Sequence, residues 1–169
     1  MSDGVPARGC FPAGFRFAAE EDFPRVEELW LEAFPEDTAG DVRDFLLSRY
    51  TAERILLRCE DGLPVAMASL FPVDIAGKKA VYVYALATDA RYRGRGLART
   101  LLDAVQNAYG AALIVRPEPT GVARFYERNG FIRLPEKELK AMAAQNGIED
   151  LLLDTGDGYI RPAEHGRAL

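Results

Sequence analysis

Two turn signals, Asp61-Gly62 and Ala76-Gly77-Lys78, cut the middle of the chain into three apolar runs, Ile55 to Cys59, Val65 to Phe71 and Ala80 to Ala87. Asp-Gly is a strong hairpin dipeptide, because a two-residue turn that matches strand twist needs positive φ at both central positions. Runs joined this closely pair antiparallel, so the sequence predicts a meander of two successive hairpins, with Pro64 marking an edge or a strand start. The third run is rich in Val and Tyr, as strands are. It leads into the glycine- and arginine-rich stretch Arg91-Tyr92-Arg93-Gly94-Arg95-Gly96. One helical face then follows, made of Leu97, Ala98, Leu101, Leu102, Val105, Ala108 and Tyr109 and ended by Gly110.

Before the meander, Phe15 to Ala18 alternates like a short strand. Glu21, Asp22 and Pro24 open a helix carrying Val26, Leu29, Trp30, Ala33 and Phe34. A break at Pro35 to Gly40 separates it from a second amphipathic stripe, about Asp41 to Tyr50. After Gly110, Ala112 to Val115 reads as a short buried strand, Thr120 to Asn129 as a helix stopped at Gly130, and Phe131 to Leu134 as the next strand. Beyond these, Glu136 to Asn146 predicts a helix closed by Gly147, Leu151 to Leu153 a strand, and the last residues a loose tail. The order gives an α+β fold around a mixed, mostly antiparallel sheet of about six to seven strands flanked by helices. With 169 residues, 49% of them apolar and 28% charged, and with no internal repeat or linker, a single domain is expected, its core about 15–134.

Charge and cysteine content narrow the function classes. The net charge of -5 argues against a nucleic-acid binder, which needs a basic surface. No apolar stretch approaches the roughly 20 residues of a membrane span, and Met1 to Pro12 lacks the apolar segment of a secretion signal. Cys10 and Cys59 show no metal or disulfide spacing, so a cytoplasmic protein without a bound metal is expected. Charge is uneven, however. Glu20 to Asp44 holds ten acids and two bases, a local net of -8 that leaves +3 for the rest of the chain.

Chemistry concentrates at the glycine-rich stretch. A helix start leaves backbone N-H groups unpaired and carries partial positive charge, so a phosphate group satisfies several donors there at once. Gly94 and Gly96 let the backbone come close, and Arg91, Arg93, Arg95 and Arg99 add positive potential. A Rossmann fingerprint would need a third glycine where Arg99 stands, and a Walker loop would need Gly-Lys-Ser/Thr, which is absent. The stretch from Leu86-Ala87-Thr88-Asp89-Ala90 through Gly96-Leu97-Ala98 resembles the acetyl-coenzyme A signature of the GNAT superfamily, Arg/Gln-x-x-Gly-x-Gly/Ala, matched at Arg91, Gly94 and Gly96. Downstream, Tyr126-Glu127-Arg128-Asn129-Gly130-Phe131 is similar to the family's Tyr-Glu-Lys-x-Gly-Phe segment.

The resemblance implies an N-acetyltransferase with acetyl-coenzyme A as co-substrate and an amine of a small molecule or peptide as acceptor, working as monomer or homodimer, with neither nucleic acid nor membrane as partner. It implies that Leu86, Ala87 and Thr88 pair with the pantetheine arm, that Arg91, Arg93, Gly94, Arg95, Gly96, Leu97 and Ala98 hold the pyrophosphate, and that Tyr126 is the general acid toward the leaving thiolate. It also places the acidic first helices beside the acceptor, which suits a cationic amine. The sequence departs from the family in two ways. Ala80 to Thr88 contains no acid, so the base is left to water, Asp89 or an acid of the first helices, and Pro119 replaces an asparagine that often precedes the tyrosine segment. The lone histidine, His165, lies in the tail and reads as a surface residue, and Trp30, Phe34 and Phe45 read as core. Two rival readings remain open from sequence: a coenzyme A-binding module without turnover, and an arginine patch for nucleic acid.

Overall fold

The structure, a computed structural model, describes residues 11–117, 123–152 and 156–163. Calls that rest on Cys10, Pro119, Thr120, Leu153 or His165 lie outside the described residues. The elements are β1 (Phe15–Phe17), α1 (Phe23–Ala33), α2 (Ala39–Arg49), β2 (Ile55–Glu60), β3 (Leu63–Ile75), β4 (Lys78–Thr88), α3 (Leu97–Tyr109), β5 (Ala112–Val115), α4 (Ala123–Arg128), β6 (Ile132–Leu134), α5 (Glu136–Asn146) and β7 (Gly158–Arg161), with three 3-10 turns between them. They build the expected α+β architecture: one seven-stranded sheet in the order β1-β2-β3-β4-β5-β7-β6, antiparallel throughout except for β4 with β5.

The meander forms as the turns require. Asp61 and Ala76 both sit at φ 49°, each followed by a glycine at positive φ, which gives the strand twist that a short hairpin needs. On one face of the sheet α3 lays down Leu97, Leu101, Leu102 and Val105 against Leu56, Ala66, Ala68, Leu70, Val81 and Val83. On the other face α1 and α2 bury Val26, Leu29, Trp30, Val42 and Leu46, and α5 buries Leu139, Met142 and Ala143. Each large apolar side chain so buried contributes about 1.5–3 kcal/mol. No helix among the described residues is long and apolar enough to cross a membrane.

The C-terminal part corrects the sequence reading. Leu151 belongs to a 3-10 turn, Glu149–Leu151, rather than to a strand. Gly147 closes α5 in the left-handed conformation, Ile148 N-H bonds back to the Ala143 carbonyl, and Leu151 drops into the cluster of Leu139, Met142 and Ala143. Leu151 therefore plugs the core instead of pairing in a sheet. The missing strand is β7, formed by residues read as tail, and it enters the slot between β5 and β6. Gly158 is required there by space, since a Cβ would stand 2.9 Å from the Val115 carbonyl oxygen and 3.2 Å from Leu139.

Candidate active site

The site begins with an irregularity in β4. Pairing with β3 matches Leu70 to Val83 and Ser69 to Ala85, so Tyr84 is an extra residue, a β-bulge. The bulge breaks the alternation of faces: Tyr84 and Ala85 both pack toward the side of α1 and α2, while Val83 and Leu86 pack toward α3. The parallel ladder with β5 stops at the same place, at Val83 opposite Val115. From Tyr84 to Thr88, β4 thus continues along β3 beyond the β5 ladder, and among the described residues no strand pairs with its other edge there. Leu86, Ala87 and Thr88 lie on that edge, and the Thr88 carbonyl accepts from Arg93 Nε at 3.2 Å.

The chain then crosses a 3-10 turn, Ala90–Tyr92, and enters the glycines. Gly94 and Gly96 lie at φ +80° and +73°, and an added Cβ at either would meet nothing within 4 Å. Glycine is needed here for its left-handed backbone, and the space beside the turn is open. Gly96 is the N-cap of α3 and no side chain caps the helix, so the first-turn N-H groups, including those of Leu97 and Ala98, are offered outward. Arg91, Arg93, Arg95 and Arg99 are exposed around this start. Three of them have protein contacts: Arg91 with Asp89, Arg93 with Thr88 and Glu32, and Arg95 over the Tyr92 ring at 5.0 Å.

Tyr126 comes to this region on α4. It is 7% exposed, in the same apolar cluster as Val83, Leu97, Leu101 and Val115, which mark the end of the β4–β5 ladder and the start of α3. Phe125 and Phe131 meet its ring edge-on, at 5.1 and 5.2 Å. Burial pushes its phenol well above the ordinary value near 10, so the hydroxyl is neutral and a donor at physiological pH.

The profile of the acetyltransferase (GNAT) family matches residues 19–131. The chain belongs to the GNAT family. The N-acetyltransferase YhbS of Escherichia coli K12, itself uncharacterised, is 28% identical over 111 residues, spanning 62% of this chain and 66% of its own length. The crystal structure of E. coli YhbS in complex with CoA superposes with a TM-score of 0.61 at 24% identity, covering 94% of this chain and 87% of that one. A GNAT-family acetyltransferase from Staphylococcus aureus Mu50 superposes at 0.68 with 14% identity, over 88% and 98% of the two chains. The matched stretch of the GNAT profile runs from the start of α1 through Phe131, and so contains the bulged strand, the glycine turn and Tyr126 together.

Asp89, one of the three candidate bases, does not fit that role in this GNAT chain. Its side chain is 3% exposed and receives Arg25 Nη2 at 2.6 Å, Arg91 Nη2 at 2.9 Å and Nε at 3.2 Å, and the Arg91 backbone N-H at 2.9 Å. Arg91 and then Arg25 hold its carboxyl far below the usual carboxylate range, which makes it a very weak base. Its function is architectural, as cap of the turn that enters the glycines. Glu32 on α1 has a similar task, accepting the Ala90 backbone N-H beside Arg93. α1 thus grips the loop through Arg25 and Glu32, neither of which sequence reasoning singled out. Arg25 is 64 positions from Asp89, and no local signal links them. Trp30, read as core, is core: it is 3% exposed, donates its indole N-H to Asp37 at 2.8 Å, and shares an aromatic cluster with Phe34, Phe45 and Tyr84. Among the described residues no group of three or more His, Cys, Asp or Glu side chains could hold a metal ion.

Proposed function

We propose that this chain is an N-acetyltransferase that takes the acetyl group of acetyl-coenzyme A to an amine of a small molecule or peptide, by direct attack within a ternary complex. The observation that carries the reading is the coincidence of two features at one place, the end of the β4–β5 ladder at Val83 and the uncapped α3 start behind Gly94 and Gly96. The first offers backbone groups to an extended pantetheine-like chain, and the second offers N-H donors and arginines to a pyrophosphate. The residues therefore fit the cofactor that the family uses.

In this reading the thioester supplies an activated acetyl group and a thiolate leaving group. The edge of β4 at Leu86, Ala87 and Thr88 orients the cofactor, and a backbone N-H at the break stabilises the oxyanion. Leu97 and Ala98 bind phosphate through their backbone, beside Gly94, Gly96, Arg91, Arg93 and Arg95. Tyr126 keeps its proton and donates a hydrogen bond to the developing thiolate. Burial makes full loss of that proton costly, so its contribution is charge stabilisation more than complete transfer. β4 carries no carboxylate and Asp89 is locked between arginines, so the amine sheds its proton to water. The acids of α1 and α2 favour a cationic acceptor, and Glu36 and Asp44 on that side remain exposed.

Calorimetry with coenzyme A, followed by a thiol-release screen of amines, amino acids, polyamines and peptides with acetyl-coenzyme A, tests the reading. Binding and release with at least one amine class are expected. No heat of binding and no thermal shift at millimolar coenzyme A would overturn it.

A further inference from the structure

We propose that Arg25 is the resident counter-ion of Asp89 and thereby frees Arg91 to leave Asp89 for the cofactor's pyrophosphate. The inference rests on the reading above that the glycine turn holds a pyrophosphate, and it concerns a residue outside both sequence motifs.

Asp89 is a single carboxylate with two guanidiniums on it, and the two differ in their surroundings. Arg25 comes from α1, its side chain 18% exposed. Arg25 Nε donates to the Pro64 carbonyl at 2.8 Å, where β3 begins, and its Nη1 meets Glu28 at 3.1 Å, so its head is fastened at several points. Arg91 is 70% exposed on the outer side of the same carboxylate. Asp89 itself is fixed by its backbone, whose N-H donates to the Val65 carbonyl at 2.8 Å. The carboxylate is thus immobile, one of its cations is built into the body of the fold, and the other stands at the surface beside the open glycine turn.

A buried carboxylate cannot be left without a partner, because uncompensated charge in a low dielectric costs several kcal/mol. Were Arg91 its only cation, moving Arg91 onto a phosphate would expose the site to that cost, and Asp89 would compete with the ligand for it. Arg25 removes the conflict. With Arg25 in place Asp89 keeps a cation whichever way Arg91 points, and Arg91, whose own side chain is 70% exposed, can turn outward without leaving that carboxylate unpaired. A guanidinium-phosphate contact is charge-assisted and bidentate, so the transfer is favourable when the ligand arrives. Arg25 is therefore a positioning residue, acting on the cofactor through Asp89 and Arg91.

The test measures coenzyme A affinity by calorimetry on the full chain and three variants. Arg25→Met should weaken binding about tenfold or more, the size expected for loss of one guanidinium-phosphate contact, because Arg91 is then held by Asp89. Adding Asp89→Asn to Arg25→Met should restore most of the affinity. The substituted side chain keeps an oxygen to cap the Arg91 backbone N-H yet no longer retains the guanidinium, and such a rescue is not expected of a merely structural role. Should Arg25→Met fail to fold, Asp89→Asn alone decides: because Arg25 already answers the carboxylate in the parent, removing that charge must leave coenzyme A affinity no weaker than the parent's. Unchanged affinity in Arg25→Met, no rescue in the double variant, or weaker binding in Asp89→Asn would overturn the proposal. A parent chain that binds no coenzyme A would instead overturn the cofactor reading itself.

Discussion

Arg161 Nε donates to Gln106 Oε1 at 2.6 Å, joining β7 to the helix that follows the glycine turn. The same guanidinium donates to the Asn129 carbonyl at 3.1 Å, pairs with Asp103 at 2.9 Å and lies over the Phe131 ring, while the residue is only 3% exposed. Gln106 returns its amide to the carbonyls of Ala111, Arg161 and Pro162. One buried arginine thus ties the last strand to α3 and to the end of α4.

Arg161→Met should therefore cost about 3 kcal/mol of stability. It orphans the Gln106 oxygen and one bond of the Asn129 carbonyl, and leaves Asp103 unpaired. Asp103 is 48% exposed and water can reclaim it, which keeps the cost at the low end of the range for a broken buried pair. Urea unfolding measures it, and a loss below about 1 kcal/mol would show that the network is dispensable.

Tyr126→Phe keeps the ring between Phe125 and Phe131 and removes only the hydroxyl. If that hydroxyl stabilises the leaving thiolate, kcat should fall about 10²-fold or more, with KM for acetyl-coenzyme A and the melting temperature little changed. Because burial holds the phenol un-ionised, the parent's rate with an alkylamine should keep climbing with pH toward the amine's own pKa near 10.4, with no descending limb from Tyr126. Full activity in the variant, or a profile flat from neutral pH upward, would remove Tyr126 or the base-free mechanism respectively.

Gly94→Ala places a Cβ at φ +80°, where nothing clashes but the left-handed backbone costs roughly 1–2 kcal/mol. Stability should drop by that amount. Coenzyme A affinity should drop by more than tenfold in addition, because the turn relaxes away from the geometry that aims the α3 N-H groups. Thermal denaturation and calorimetry on the same sample separate the two. Unchanged coenzyme A affinity alongside that loss of stability would mark the turn as structural only.

Stability should be flat across neutral pH and fall at both extremes. Burial raises the Tyr82 phenol to about 12, so below pH 10 folded and unfolded chains are both neutral there and its full contribution is present. Between pH 10 and 12 the unfolded chain ionises first, and roughly 2–3 kcal/mol is lost from this group. At the acid end, Arg16 lowers the Asp22 carboxyl, as the two arginines lower that of Asp89. Their contribution is present above the unfolded value near 3.9 and disappears as pH falls toward the lower folded values. Chemical denaturation at fixed pH steps would show this profile, and acid unfolding that began above pH 5 would contradict it.

Much of the fold was legible because its signals are local. Asp61-Gly62 and Ala76-Gly77 specify tight turns by φ alone, and Gly110 and Gly147 end α3 and α5 in the left-handed conformation the sequence requires of them. The glycine turn could be read for the same reason, since a helix start without a capping side chain needs only neighbours in sequence. β7 could not be read. Gly158-Tyr159-Ile160-Arg161 has no clear alternation, and it becomes a strand because Ile160 finds Ile114 on one side and Ile132 on the other.

The sequence by itself determined the order of elements as far as α5, the hairpins, the glycine-bounded start of α3 and the family, since each depends on residues a few positions apart whose conformational preferences add directly. The tertiary structure alone decided the bulge at Tyr84, the burial of Tyr126, and the pairing of Asp89 with Arg25 across 64 positions. These depend on which surfaces meet when the sheet closes under its helices. The state of a carboxylate or a phenol follows from the charges and the dielectric that such a meeting places around it, not from its neighbours along the chain.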